Sequence, residues 1–143
     1  MAERKQSQTL QDQLNLLFSQ ELFGETERRL VFGSVFLIPN DISRIPSRKR
    51  RKGRTRDHPF VVIKYFRETN NIVLCALRTT DLSRKGLITP ENVLPGLDKP
   101  GVIVLDEQFK IDAQKFVEFN CLGILPEMYI DDLKKMIVEK GWL

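Results

Sequence analysis

The sequence is poor in the residues that bind metals, since its 143 positions include only two cysteines and one histidine. Cys75, Cys121 and His58 do not form the paired-ligand spacing of a zinc site. Both cysteines lie in apolar segments, so we expect buried, reduced thiols, with a disulfide as the less favoured alternative. Glycine-rich phosphate loops of the Walker or dinucleotide-binding type are also absent. We therefore expect neither a metal nor another cofactor.

Long hydrophobic runs are absent as well. The most apolar segments, residues 61–63 and 72–77, are far shorter than the roughly 20 residues that a helix needs to cross a bilayer. The N-terminal residues are polar and lack the continuous apolar stretch of a secretory signal. These absences predict a cytoplasmic protein that makes no membrane contact.

The chain does contain one concentrated block of positive charge. Eight Lys or Arg residues occur among the thirteen positions 44–56, and no acidic residue interrupts them. The formal net charge of the whole chain is +4, which leaves −4 for the residues outside this block. Such a block repels itself and is costly to bury, and its natural counter-charge is a nucleic-acid phosphate backbone. A solvated, disordered segment and a nuclear localisation signal are the alternatives.

An amphipathic helix is predicted over residues 8–23, ending at Gly24. Its apolar residues recur at helical spacing and are Leu10, Leu14, Leu17, Phe18 and Leu22. The helix either packs on the core of its own domain, docks on a second subunit or covers a groove. The sequence thus divides into an N-terminal extension, residues 1–28, and a main domain, residues 29–143, with a basic loop at 42–57.

Short apolar segments separated by turn signals predict strands in the main domain. Residues 59–66 and 72–77 flank a polar turn at 68–71, which indicates a hairpin. The second of these segments is apolar at every position, which is typical of a central strand covered on both faces. Further strands are predicted before Pro39 and at 101–105.

The C-terminal region predicts a helix that starts near Pro126 and ends at Gly141. One face of this helix is apolar and carries Ile130, Leu133, Met136 and Ile137. The fold class is therefore mainly β with flanking helices (α+β). We expect a small, partly closed antiparallel barrel with an N-terminal and a C-terminal helix.

The order of short motifs along the chain is more specific than any one of them. A strand that opens with Gly33-x-Val35 ends at Pro39, and the basic loop is followed by HPFVVI at 58–63. The next strand ends in LRTT at 77–80, and GVIVLDEQ at 101–108 leads to Ile111. A glycine and a terminal helix follow. Over roughly residues 31–140, this order resembles the MazF/PemK/Kid toxin family of type II toxin–antitoxin systems.

The resemblance implies a fold, an activity and partners. The fold is an SH3-like barrel that forms a homodimer. The activity is metal-independent cleavage of single-stranded RNA, in which the 2′-OH attacks the adjacent phosphate and yields a 2′,3′-cyclic phosphate. The cognate antitoxin is an acidic, partly disordered chain, and a strongly basic loop suits such a partner.

The resemblance also implies roles for three residues. His58 stands where the family has a catalytic Arg before Pro, and an imidazole can act as acid, base or, when protonated, phosphate donor. Thr79 matches a threonine whose hydroxyl contacts the scissile phosphate. Asp106 matches an aspartate that joins acid–base chemistry in some relatives and shapes RNA contacts in others. Their structural alternatives are a solvated loop histidine, a strand-end turn residue and a loop-capping carboxylate.

Phosphate contacts are expected from a wider set of cations. The guanidinium that position 58 lacks is expected from Arg54, Arg56 or Arg78, although strand alternation places Arg78 and Thr79 on opposite faces. The remaining candidates are Arg48, Arg50, Arg51 and Lys110, the last with simple solvation as the alternative. Val104 departs from the stricter Kid-like pattern, which has Arg there.

Two other functions stay open at this point. The His58 replacement and the enlarged basic loop are also compatible with a catalytically inactive barrel that binds nucleic acid or protein. Alternatively, the chain is a subunit of a larger assembly in which the N-terminal helix is the docking element.

Overall fold

In this computed structural model, the described residues are 10–14, 22–43 and 57–142. The basic segment 44–56 and much of the predicted N-terminal helix lie outside them. The strands are β1 Ser34–Pro39, β2 Asp57–Phe66, β3 Ile72–Thr79, β4 Gly86–Thr89, β5 Gly101–Val104, β6 Phe109–Asp112 and β7 Asn120–Ile124. The helices are α1 Asn40–Ser43, a 3₁₀ helix Ala113–Glu118 and α2 Glu127–Lys140, and residues 10–14 and 22–27 are also helical.

All seven strands belong to one antiparallel sheet in the order β4-β5-β3-β2-β1-β7, with β6 also paired to β3. The first half of β3 pairs with β6, and its last two residues, Arg78 and Thr79, pair with β5. A β-rich sheet with a few helices confirms the predicted α+β class. Among the described residues the sheet does not close into a barrel, because β4 and β7 remain edge strands.

Strand β3 is the centre of the sheet, as its uninterrupted apolar sequence predicts. Residues 73–78 are all buried. Side chains alternate between two core clusters, so Val73 and Cys75 belong to one and Leu74 and Ala76 to the other. The predicted hairpin is also confirmed, since β2 and β3 pair antiparallel from Phe60–Leu77 to Phe66–Ile72.

Each face of the sheet is covered by a different helix. On one face, Phe116 of the 3₁₀ helix contacts Phe36 of β1 edge to face, with ring centroids 5.1 Å apart. On the other face, Leu133 and Ile137 of α2 are fully buried against β2 and β5. These two covers explain why successive residues of β2 and β3 are both buried.

The C-terminal helix begins and ends where the sequence predicts. Pro126 is the N-cap of α2, and Gly141 is its C-cap with φ 71°, a left-handed conformation that glycine adopts without steric cost. The N–H of Gly141 donates to the carbonyls of Ile137 and Val138, which satisfies carbonyl groups that the helix end leaves without partners.

The N-terminal region differs from its prediction in one respect. Residues 22–27 are helical, so the helix does not end at Gly24. The Gly24 carbonyl accepts a hydrogen bond from the N–H of Arg28 at 3.3 Å, and glycine is tolerated inside a helix when neighbours hold it. Here Phe23 packs against the core, and Glu27 forms an ion pair with Arg67 at 2.8 Å.

The two cysteines also differ from each other. Both are free thiols, and Cys75 is fully buried, as predicted. Cys121 is only half-buried, because its strand β7 lies at the edge of the sheet and has a neighbour on one side only. In the part of the chain that the structure describes, no helix is both long enough and apolar enough to cross a membrane.

Candidate functional site

A cavity of about 410 Å³ lies at one end of the sheet. It is lined by residues 57–59 of β2, residues 78–80 at the end of β3, residues 96–99 of the β4–β5 connection, and Leu37 of β1. Because β2 and β3 are antiparallel and Phe60 pairs with Leu77, the start of β2 and the end of β3 meet at this edge. His58 and Thr79, 21 positions apart in the chain, therefore line one cavity.

His58 is held in the sheet rather than on a free loop. It pairs with Ile38 of β1, and the following residue, Pro59, pairs with Leu37. The residue before a proline is restricted to extended conformations, which agrees with its place at the start of a strand. The side chain is half-buried and its Nε2 atom is shielded from solvent. The backbone thus gives the imidazole a fixed position in the cavity wall.

Thr79 is the last residue of β3 and is half-buried. It pairs with Val102 of β5, and its Oγ1 accepts a hydrogen bond from the N–H of Asp81 at 3.2 Å. A threonine hydroxyl has one O–H donor in addition to its acceptor positions. Thr79 therefore retains a donor for an anionic oxygen in the cavity.

Arg78 also lines the cavity, although it alternates with Thr79 along β3. It is 2% exposed, and its Nε–H donates to Thr89 Oγ1 at 2.8 Å. Its Nη2 donates to the carbonyls of Pro90 at 3.3 Å and Lys99 at 2.8 Å. Both Arg78 and Thr79 reach the cavity because it surrounds the end of the strand, so strand alternation does not separate them.

The charge of Arg78 has no acidic partner among the described residues. The ion pairs in that part of the chain are Arg67–Glu27 and Arg84–Asp106. Burial lowers the pKa of the Arg78 guanidinium from its usual value, because desolvation disfavours the charged form. An arginine nevertheless stays protonated at neutral pH. The cavity wall thus contains a buried positive charge whose hydrogen-bond partners among the described residues are neutral oxygen atoms.

The β4–β5 connection forms a cavity wall that sequence reasoning missed. Its residues Asp98 and Lys99 line the cavity, and Leu94 and Leu97 anchor the segment in the core. The N–H of Asn92 donates to the carbonyl of Leu97 at 2.7 Å, which fixes the turn. Two leucines three residues apart inside a Pro- and Gly-rich loop were the available signal that this loop packs against the domain.

Acidic and hydroxyl groups complete the lining. Asp57 directly precedes His58 and is exposed, and Asp98 and Thr80 are exposed as well. None of these three was among the residues predicted from the sequence. They add carboxylate and hydroxyl groups to the cavity that His58 also lines, so the cavity contains acid–base groups of two kinds.

Other predicted site residues do not line this cavity. Asp106 is exposed and forms an ion pair with Arg84, with Oδ1 and Nη2 3.1 Å apart. Lys110 is exposed on β6, where it pairs with Leu74 near the middle of β3. The loop cations lie outside the described residues and are Arg48, Arg50, Arg51, Arg54 and Arg56. Of the predicted residues that the structure describes, His58, Thr79 and Arg78 are brought together.

Neither a cluster of metal ligands among the described residues nor a similar known protein identifies the function. Over residues 10–14, 22–43 and 57–142, no three His, Cys, Asp or Glu side chains are grouped as metal ligands would be. Comparison with known protein families, curated proteins and solved structures found no match to this chain. The cavity and the motif order are therefore the features that indicate a function.

Proposed function

We propose that this protein is an endoribonuclease that cleaves single-stranded RNA by attack of the 2′-OH on the adjacent phosphate. The observation that carries the proposal is the meeting of His58, Thr79 and Arg78 at one cavity. The reaction needs a group that moves protons and cations or donors that stabilise charge on the phosphorane. An imidazole can transfer the protons, and a hydroxyl and a guanidinium can stabilise the charge.

Each residue has a distinct role in the proposed reaction. His58 is the general acid or base, and the carboxylate of Asp57 or Asp98, which line the same cavity, is the second proton-transfer group. Thr79 donates its hydroxyl hydrogen to a non-bridging phosphate oxygen. Arg78 supplies the guanidinium charge that the family has at position 58, but from the neighbouring strand. The arginines of the basic loop bind flanking phosphates of the same RNA.

The wider proposal follows the family resemblance. It includes closure of the sheet into an SH3-like barrel, a homodimer, independence from metal ions and a cytoplasmic location. It also includes neutralisation by an acidic antitoxin, whose charge would complement the basic segment 44–56. The motif order over residues 31–140 supports these points.

The test is incubation of the pure protein with mixed-sequence single-stranded RNA in the presence of EDTA. We expect cleavage products that end in a 2′,3′-cyclic phosphate, and we expect His58→Ala to lower the rate by about 10²- to 10⁴-fold. An oligonucleotide with 2′-deoxy sugars throughout is the matched control and stays intact. Intact RNA at micromolar protein, or unchanged cleavage by the variant, would contradict the proposal.

A second candidate function is a catalytically inactive domain that binds nucleic acid. The observation that favours it is the Arg84–Asp106 ion pair, which holds the predicted catalytic carboxylate outside the cavity. This function predicts salt-dependent RNA binding without cleavage. Arg54→Gln and Arg56→Gln should each reduce the slope of log K against log salt by about one unit, whereas Lys110→Gln on β6 should leave it unchanged. Equal slopes in all variants would exclude phosphate contacts by the loop.

A further inference from the structure

We propose that Arg78 forms a preformed site for a tetrahedral oxyanion, phosphate or sulfate, in the cavity between β2, β3 and the β4–β5 connection. The site lies in the same cavity as the proposed active site but does not rest on the proposed function, because the free inorganic anion binds there without RNA and without cleavage. Its basis is the way the guanidinium is held, together with the burial of its charge.

The described residues accept hydrogen bonds from only some of the donors of Arg78. A guanidinium has five N–H groups. The Nε–H and the Nη2 group bond Thr89 Oγ1 and the carbonyls of Pro90 and Lys99. Nη1 makes no hydrogen bond to any residue that the structure describes. One side of the guanidinium is thus fixed to the protein, and the two N–H groups of Nη1 remain for a ligand.

Hydrogen bonds and close packing hold the Arg78 guanidinium in one orientation. Pro90 and Lys99 lie at the two ends of the β4–β5 connection, so one nitrogen binds both ends of the same loop. Gly101 packs directly against the guanidinium, since a Cβ at this position would lie 2.7 Å from Arg78 Cζ and 2.8 Å from Nη1. The orientation of Nη1 is therefore set before any ligand arrives.

The burial of the charge favours an anion as the ligand. A buried cation is costly unless it is paired, and the partners of Arg78 within the described ranges are neutral oxygens. Asp57 and Asp98 also line the cavity, but both are exposed, so water and salt screen their repulsion. Lys99 offsets one of these charges. The guanidinium, at 2% exposure, acts through a medium of much lower dielectric constant.

The cavity also offers the neutral donors that an oxyanion needs. The hydroxyls of Thr79 and Thr80 line it on the same strand end as Arg78. Its volume of about 410 Å³ lies within the range of small-ligand sites, so the cavity has room for a phosphate or sulfate ion. A charge-assisted hydrogen bond from Nη1 with one or two hydroxyl contacts is sufficient for a specific, moderate-affinity site.

The experiment is a titration of the full chain with inorganic phosphate and with sulfate, followed by NMR of the arginine guanidinium nitrogens. Chloride at matched ionic strength is the control for salt effects. We expect saturable shifts of the Arg78 signals with phosphate and sulfate but not with chloride, and no shift for Arg67, which is exposed and paired with Glu27. Unmoved Arg78 signals at tens of millimolar phosphate, or equal shifts with chloride, would overturn the proposal.

A variant and a second ligand sharpen the result. Arg78→Lys keeps a positive charge but loses the fork of donors, and we expect phosphate to bind at least about tenfold more weakly, with Arg67→Lys as the control. If Arg78→Lys does not fold, the wild-type titration decides alone. An oligonucleotide with 2′-deoxy sugars that displaces phosphate identifies a phosphodiester as the larger ligand, and no displacement restricts the site to the free anion.

The outcomes separate this inference from the proposed function. Phosphate binding at Arg78 in a protein that cleaves no RNA supports the anion site and contradicts the nuclease. RNA cleavage without any response of Arg78 to phosphate contradicts the anion site and leaves the nuclease standing.

Discussion

At the scale of single residues, the position of each polar side chain decides its chemistry. His58 and Thr79 line the same cavity from neighbouring strands, and Arg78, which is buried, lines it as well. Asp106 follows the end of β5, where the half-buried Arg84 of another loop pairs with it. Two residues with equally good motif matches, Thr79 and Asp106, thus have different access to the cavity.

This difference gives a prediction for RNA cleavage. We expect Asp106→Asn to change the initial rate on a given RNA by no more than about threefold, because a group outside the cavity makes no proton transfer there, whereas loss of a general acid or base costs about 10²- to 10⁴-fold. Arg84→Gln, which removes the partner of Asp106, is the matched control. A loss with Asp106→Asn as large as with His58→Ala would place Asp106 in the reaction.

A second residue-scale prediction concerns Gly101. An alanine Cβ there would lie 2.7 Å from Arg78 Cζ and 2.9 Å from the carbonyl oxygen of Thr79, so the guanidinium must move or the strands must separate. We expect Gly101→Ala to lower the free energy of unfolding by about 1–3 kcal/mol in urea titrations. Gly24→Ala is the control, because its Cβ meets nothing within 4 Å and alanine is the better helix residue. Equal stability of the two variants would contradict the packing argument.

At the scale of elements, β3 and α2 follow directly from local sequence. β3 is apolar on both faces because each face has its own helical cover, and α2 presents Leu133 and Ile137 to one of them. The β4–β5 connection is different, because its conformation depends on Leu94 and Leu97 in the core and on carbonyl groups held by Arg78. Local sequence therefore determines the conformation of β3 and α2, whereas contacts with distant residues determine the conformation of the β4–β5 connection.

The end of α2 provides an element-scale prediction. Gly141 has φ 71° with open space around its Cβ position, so an alanine there meets a backbone penalty and no clash. We expect Gly141→Ala to reduce the free energy of unfolding by about 1 kcal/mol. Thermal or urea unfolding measures the loss. An unchanged stability would mean that the last turn of α2 contributes little to the folded state.

At the scale of the whole molecule, two apolar clusters are separated by the sheet and each is covered on its outer side. The thiol of Cys75 lies in one of them, and burial raises its pKa far above the usual value because the thiolate would be desolvated. Cys121 lies on the edge strand β7 and is half-buried. The reactivity of Cys75 therefore measures opening of the core, and that of Cys121 measures opening at the edge strand β7.

Thiol labelling tests this arrangement. In native buffer we expect a disulfide reagent to react with Cys121 and to reach Cys75 only at the rate of global unfolding, because the reactive species is the thiolate. In guanidinium chloride both thiols should react at once. Cys121→Ser is the control and should be almost unlabelled while folded. Fast labelling of Cys75 in that variant would show that the cluster around it opens locally.

Much of the fold was predictable from the sequence because its signals are local. Apolar runs, turn residues and a 3.6-residue period identified the β2–β3 hairpin, the buried strand β3 and the terminal helix α2, and these are confirmed. The prediction that the N-terminal helix ends at Gly24 is wrong, because the effect of a glycine in a helix depends on the contacts of the next turn. The prediction that Cys121 is buried is wrong, because an apolar sequence does not reveal whether a strand lies at the edge of a sheet.

The candidate site was predictable only in part. His58, Thr79 and Arg78 were named from motifs, and the antiparallel pairing of β2 and β3 brings them together. Asp57, Asp98 and Lys99 were not named, because no local pattern shows that the β4–β5 connection folds back over the strand ends. The catalytic role of the three predicted residues stays a prediction until RNA cleavage is measured.

Local sequence is sufficient for the features that depend on neighbours within a few positions, which are a buried hairpin, a capped terminal helix and a block of positive charge. Which polar groups share a cavity, and that the Arg78 charge is buried with no acidic partner among the residues described, depends on the folded arrangement of distant segments. The physical reason is that hydrophobic periodicity acts along the chain, whereas desolvation and hydrogen-bond geometry depend on segments that meet only after folding.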